Sequence, residues 1–64
     1  MGDFYKQVTR ELANCGFAYW RAAKGSHELW RNSATNKKVI VPRKLTNRHT
    51  ANGILRVAGS SLKV

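Results

Sequence analysis

Acidic side chains are scarce in this 64-residue chain: three Asp plus Glu stand against 12 Lys plus Arg, a net charge of +9 at pH 7. Such an imbalance speaks about partners rather than fold, and it points to a polyanion, either nucleic acid or an anionic membrane surface. Long apolar runs are missing as well. None approaches the ~20 residues of a membrane-crossing helix. The basic residues do not line one face of a long amphipathic helix either, so no membrane partner is expected. The first ten residues, "MGDFYKQVTR", lack the apolar stretch of a signal peptide. They begin Met-Gly, but Lys6 stands where a myristoylation signal needs Ser or Thr. There is a single cysteine, Cys15, which excludes an internal disulfide. With only two histidines, far apart at His27 and His49, it also fails to match a structural zinc pattern. No metal and no cofactor are expected. Cys15 reads as a small apolar residue near a helix end, in a protein of the cytoplasm.

What is present is enough for one small domain spanning residues 1–64. A chain of this size buries only about 60% of its unfolded surface, so its core is small and any chemistry must rest on few residues. Phe4, Val8, Leu12 and Cys15 recur at helical spacing, and with Asp3 as N-cap and Gly16 as terminator they predict a helix over residues 4–14. "FAYWRAA" alternates and predicts a strand over residues 17–22. Lys24, Gly25 and Ser26 form a turn, "HELWRN" a second strand, "SATN" a second turn, and "KKVIVP" a third strand closed by Pro42, the one proline. Residues 43–49 form a polar loop. Thr50 then caps a helix over about 50–58, with Ala51, Ile54, Leu55, Ala58 and Leu62 on its apolar stripe and Gly59 as its stop. Gly53 lowers helix propensity by about 1 kcal/mol and would allow close packing on the sheet. The order α-β-β-β-α belongs to the α+β class: a three-stranded antiparallel sheet with two helices on one face, the shape of the double-stranded-RNA-binding domain.

Candidate chemistry centres on "KGSHELW". RNA carries its own nucleophile, the 2′-OH. Cleavage by internal transfer needs a base for that proton, an acid for the leaving oxygen and cations for the phosphorane, and no metal. Histidine, with an ordinary pKa of about 6.5, suits the proton work. His27 is therefore the candidate catalytic residue. Gly25 lets a phosphate approach the backbone, Lys24 could hold it, and Ser26 could add a hydroxyl donor. Each also reads as an ordinary turn residue. Lys37, Lys38, Arg43, Lys44 and Arg48 cluster between the third strand and the second helix as candidate phosphate contacts. Tyr5, Tyr19, Trp20 and Trp30 are candidates for base stacking. Alternation sets Tyr19 and Trp20 on opposite faces, so at least one is expected in the core, and burial is the expectation for either tryptophan.

"GSHELW", then "KKVIVP", then a polar loop leading into "TANGILRVAG", resemble in that order the HicA toxin family, the small basic mRNA interferases of HicA–HicB toxin–antitoxin systems. The matching positions are Gly16, Gly25-Ser26-His27, Val41-Pro42 and the stretch from Thr50 through Gly59. The resemblance runs over nearly the whole chain. It implies the double-stranded-RNA-binding-domain-like fold and ribosome-independent cleavage of mRNA with His27 as the catalytic histidine. It also implies an acidic HicB-type antitoxin that covers the site, and operator DNA bound only indirectly, through the antitoxin. Two positions depart from the family pattern. Many members carry a second histidine where Glu28 stands, and the residue before Thr50, often glycine, is His49. Glu28 should face away from His27, since neighbouring strand residues point to opposite faces. A non-catalytic double-stranded-RNA-binding module is the alternative reading, although "RHTANGILR" lacks the lysines such modules carry at the start of the second helix. A purely structural subunit matched to an acidic partner is the third.

Overall fold

The computed structural model describes residues 3–64. It contains helix α1 (Tyr5–Asn14), strands β1 (Phe17–Ala22), β2 (His27–Asn32) and β3 (Lys38–Pro42), and helix α2 (Arg48–Val57). The strands form one antiparallel sheet in the order β1-β2-β3. The predicted α+β order and the three-stranded antiparallel meander are both present.

Amphipathic spacing decides what each helix buries. Val8 and Leu12 from α1 and Ala51, Ile54 and Leu55 from α2 meet Phe17, Val39 and Val41 from the sheet. Leu45 completes this core with 1% exposure. It lies in the stretch read as a polar loop, and its carbonyl accepts the Phe4 N–H at 2.6 Å, fastening the loop before α2 to the start of α1. Sequence reading missed it because one leucine among charged residues carries no periodic signal.

The helix ends differ from expectation at both N-termini. Helix α1 begins at Tyr5, with Phe4 in the cap position, but the Asp3 carboxylate accepts the Tyr5 N–H at 2.9 Å and so still serves the first turn. Helix α2 starts two residues earlier than predicted, at Arg48. Its cap is Asn47, whose side chain accepts the Thr50 N–H at 3.1 Å, so Thr50 is a donor within the first turn. At the other end the Ser60 N–H returns to the Leu55 carbonyl and the Gly59 N–H to Arg56, a closed C-terminal turn that leaves Leu62 outside the helix. Gly53 does not approach the sheet. It is exposed, and a Cβ there would meet open space.

Gly16 ends α1 with φ +91°, and a Cβ at this position would lie 3.0 Å from the Asn32 amide nitrogen. That nitrogen donates to the Cys15 carbonyl at 3.0 Å, while the Asn32 side-chain oxygen accepts the N–H groups of Ala34 and Thr35. One buried asparagine thus ties the end of α1 to the β2–β3 hairpin. Strand β3 begins at Lys38, so Lys37 lies just outside it.

Candidate functional site on strand β2 and the adjoining turns

Strand β2 has two faces with different jobs. Glu28, Trp30 and Asn32 point toward the helices, and His27, Leu29 and Arg31 therefore point to the uncovered face. The expected separation of His27 from Glu28 holds in the strand register, where His27 pairs with Pro42 and Glu28 with Val41.

The turn before β2 shapes the surroundings of His27. Gly25 adopts φ +65°, a conformation that suits glycine. The turn brings the Lys24 carbonyl back to the His27 ring, where Nδ1 lies 3.1 Å from the oxygen. A carbonyl can only accept, so Nδ1 is the donor in this bond and Nε2 is the ring nitrogen it leaves uncommitted. The His27 side chain is exposed. The Arg43 N–H donates to the Ser26 carbonyl at 3.0 Å, joining the turn to the residue after β3. Lys24, Gly25, Ser26, His27 and Arg43 are thereby gathered at one end of the sheet.

On the helix side, Glu28 is the acceptor for a small network. The Tyr5 hydroxyl donates to its Oε1 at 2.6 Å and the Trp30 indole N–H to the same oxygen at 3.1 Å. Arg43 Nε lies 3.7 Å from Oε2, although the arginine side chain is 70% exposed and this pair contributes little. Burial first, then the bond to Glu28, pushes the Tyr5 phenol up to about 12. The residue that departs from the family pattern is thus a structural acceptor.

The basic residues proposed as one cluster separate into two. Lys38 and Pro42 are opposite ends of β3, about 13 Å apart at ~3.3 Å per residue. Lys37 and Lys38 stand at the hairpin end, with Arg31 across from Lys38. Arg43 and Lys44 stand at the His27 end. Arg48 is in the first turn of α2, with its guanidinium 5.8 Å from the centre of the Phe4 ring. His49, next to it, is exposed.

The aromatics also differ from expectation. Tyr19 and Trp20 are 52% and 41% exposed, so neither is core, and of the two tryptophans only Trp30 packs against the core, half-buried. Tyr19 pairs with Trp30 on the helix side, Trp20 falls on the open face, and the pairing of β1 with β2 shifts between Tyr19 and Arg21, leaving Trp20 as the extra residue of a bulge. Tyr19 keeps its edge-on contact with Trp30, centroids 6.3 Å apart, at the rim. Trp20 comes to lie among Arg21, Arg31 and Lys38, whose charged groups are 5.0, 5.1 and 5.3 Å from its ring centre. Alternation from buried Phe17 already sets Trp20 on the open face; what sequence reading could not supply is the bulge, which brings Arg21 to the same face beside it.

Among the described residues no three His, Cys, Asp or Glu side chains gather as a metal site, and no helix is long and apolar enough to cross a membrane. No protein-family model, curated protein or solved structure matches the chain.

Proposed function

We propose that this protein is a metal-independent endoribonuclease, an mRNA interferase of HicA type, with His27 as its catalytic residue. The observation that carries this reading is the His27 ring. Its Nδ1 is tied to the Lys24 carbonyl, and the side chain is exposed on a chain of net charge +9. In the reaction Nε2 takes the proton of a ribose 2′-OH. The 2′-oxygen attacks the adjacent phosphorus, the P–O5′ bond breaks, and the products are a 2′,3′-cyclic phosphate and a 5′-hydroxyl. The proton required by the departing O5′ comes from water or from the imidazolium in a second pose. Lys24 and Arg43, brought to the same end of the sheet, neutralise the phosphorane charge, and Ser26 and the open backbone at Gly25 admit the phosphate. Lys37, Lys38, Lys44 and Arg48 hold flanking phosphates from two sides rather than from one cluster.

An acidic HicB-type antitoxin is the partner this reading assigns. Operator DNA is reached only through that partner, and the cytoplasm is the compartment, in keeping with a single free thiol at Cys15. The second reading, a non-catalytic RNA-binding module, is favoured by one feature: no second proton-transfer side chain is bonded to His27 among the described residues.

The test is expression of the wild type and of His27→Ala, following growth and mRNA integrity, together with incubation of purified protein with labelled RNA. Growth arrest and cleavage by the wild type, both absent from a folded His27→Ala protein, are expected. Cleavage and toxicity that survive in His27→Ala refute the assignment, and RNA retained without cleavage by the wild type favours the module.

A further inference from the structure

The open face of the sheet carries a group of which the proposed function uses only Lys38. Arg21, Arg31 and Lys38 converge on Trp20, each within 5.3 Å of its ring centre. No carboxylate accompanies them. Asp3 caps Tyr5, Glu11 accepts from Ser60 and Asn14, and Glu28 lies on the helix side with Tyr5 and Trp30. Those are all the acidic side chains the chain has. Three like charges held on one ring without a counter-charge repel one another, and an anion on this face would relieve that repulsion. The ring itself offers a flat apolar surface, 41% exposed, next to the Leu29–Ile40 cross-strand pair. Cations that follow a phosphate backbone, together with an aromatic on which a base can lie, are the features that bind single-stranded nucleic acid. A duplex keeps its base faces stacked inside and has none to offer Trp20.

The geometry points to a stacking subsite for an unpaired base at Trp20, with Arg21, Arg31 and Lys38 on the flanking phosphates. It deepens the ribonuclease reading and rests on it for the nature of the ligand. Arg31 and His27 share one face of β2, four residues and about 13 Å apart. A strand lying along β2 from Trp20 therefore reaches His27, and the base held at Trp20 sets which bond is presented there. A stacked base displaces the cation that covers the ring, and the released guanidinium or ammonium moves to the phosphate.

The experiment measures binding of a fluorescein-labelled single-stranded DNA of about 12 nucleotides, within the span such sites cover. DNA lacks the 2′-OH, so binding is read without cleavage. Trp20→Ala should weaken binding about 5- to 100-fold, and Trp20→Phe should restore most of it. The double variant Arg31→Gln, Lys38→Gln should reduce the slope of log affinity against log salt by about 1.4. Equal binding by Trp20→Ala and wild type overturns the proposal. So does an equal dependence on Trp20 for a DNA duplex, or Trp20-dependent binding of poly-glutamate tighter than that of DNA, which would make the face a protein-docking surface. RNA cleavage that needs His27 but binding indifferent to Trp20 removes the subsite alone. Binding that needs Trp20 with cleavage indifferent to His27 removes the catalytic reading alone.

Discussion

Removing the Glu28 carboxylate tests how the domain is held together beneath its candidate site. Oε1 accepts from both Tyr5 and Trp30, and Oε2 faces Arg43. A hydrogen bond to a charged acceptor contributes about 1.5–3 kcal/mol. Both donors are part-buried, so water recovers some of that when the carboxylate is lost, and Arg43 adds almost nothing. Glu28→Ala should then cost about 3 kcal/mol. Glu28→Gln keeps an oxygen able to accept from both donors and loses only the charge, which roughly halves each bond, so it should cost about 1.5 kcal/mol. In a domain of this size each kcal/mol moves Tm by about 4–8 °C. Glu28→Ala should therefore melt about 12–24 °C below the wild type, and Glu28→Gln about 6–12 °C below. Thermal and urea denaturation followed by circular dichroism read both. If Glu28→Ala melts with the wild type, or Glu28→Gln falls as far as Glu28→Ala, the shared-acceptor argument is wrong.

Gly16→Ala should destabilise by about 2–3 kcal/mol, since the left-handed conformation costs an L-residue about 1–2 kcal/mol and the new Cβ pushes the Asn32 amide from the Cys15 carbonyl; urea midpoints measure it, and an unchanged midpoint contradicts the geometry. The Tyr5 phenol, raised from 10.0 to about 12, favours its neutral form in the fold. Its contribution is complete below pH 10 and disappears as the pH rises from about 10 to 12, so alkaline unfolding should show that step and Tyr5→Phe should lack it.

The element order was legible because each element announces itself locally. Val8 and Leu12, or Ile54 and Leu55, repeat with the helix, and the turns are written in Gly25 and Asn36, both at positive φ. The site was legible in part for the same reason: the turn that carries Lys24, Gly25 and Ser26 is contiguous with His27. What could not be read depends on pairing at a distance. Lys37 and Arg48 look close in sequence, yet a strand and a helix start lie between them. The core position of Leu45 is set by a bond to Phe4, 41 residues away by number (45 minus 4). Trp20 stands on the open face by alternation from Phe17, but Arg21 joins it there only because β1 pairs with β2 across a bulge, and no property of Arg21 itself records the partner's register.

Alternation along β2 also explains how so short a chain can hold the proposed catalytic residue, His27, without weakening its core. Six residues serve two sides. On one side Glu28, Trp30 and Asn32 gather the hydrogen bonds that join β2 to Tyr5, Cys15 and the β2–β3 hairpin. On the other, His27, Leu29 and Arg31 have no packing duty toward the helices. Substitutions on the exposed side, His27→Ala among them, should therefore alter RNA chemistry and leave stability within about 0.5 kcal/mol. Substitutions at the neighbouring residue should do the reverse. A histidine at position 28 would have one acceptor nitrogen for two donors, Tyr5 and Trp30. Glutamate therefore suits the Tyr5–Trp30 pair of this chain better than the second histidine that many members of the resembled family carry there.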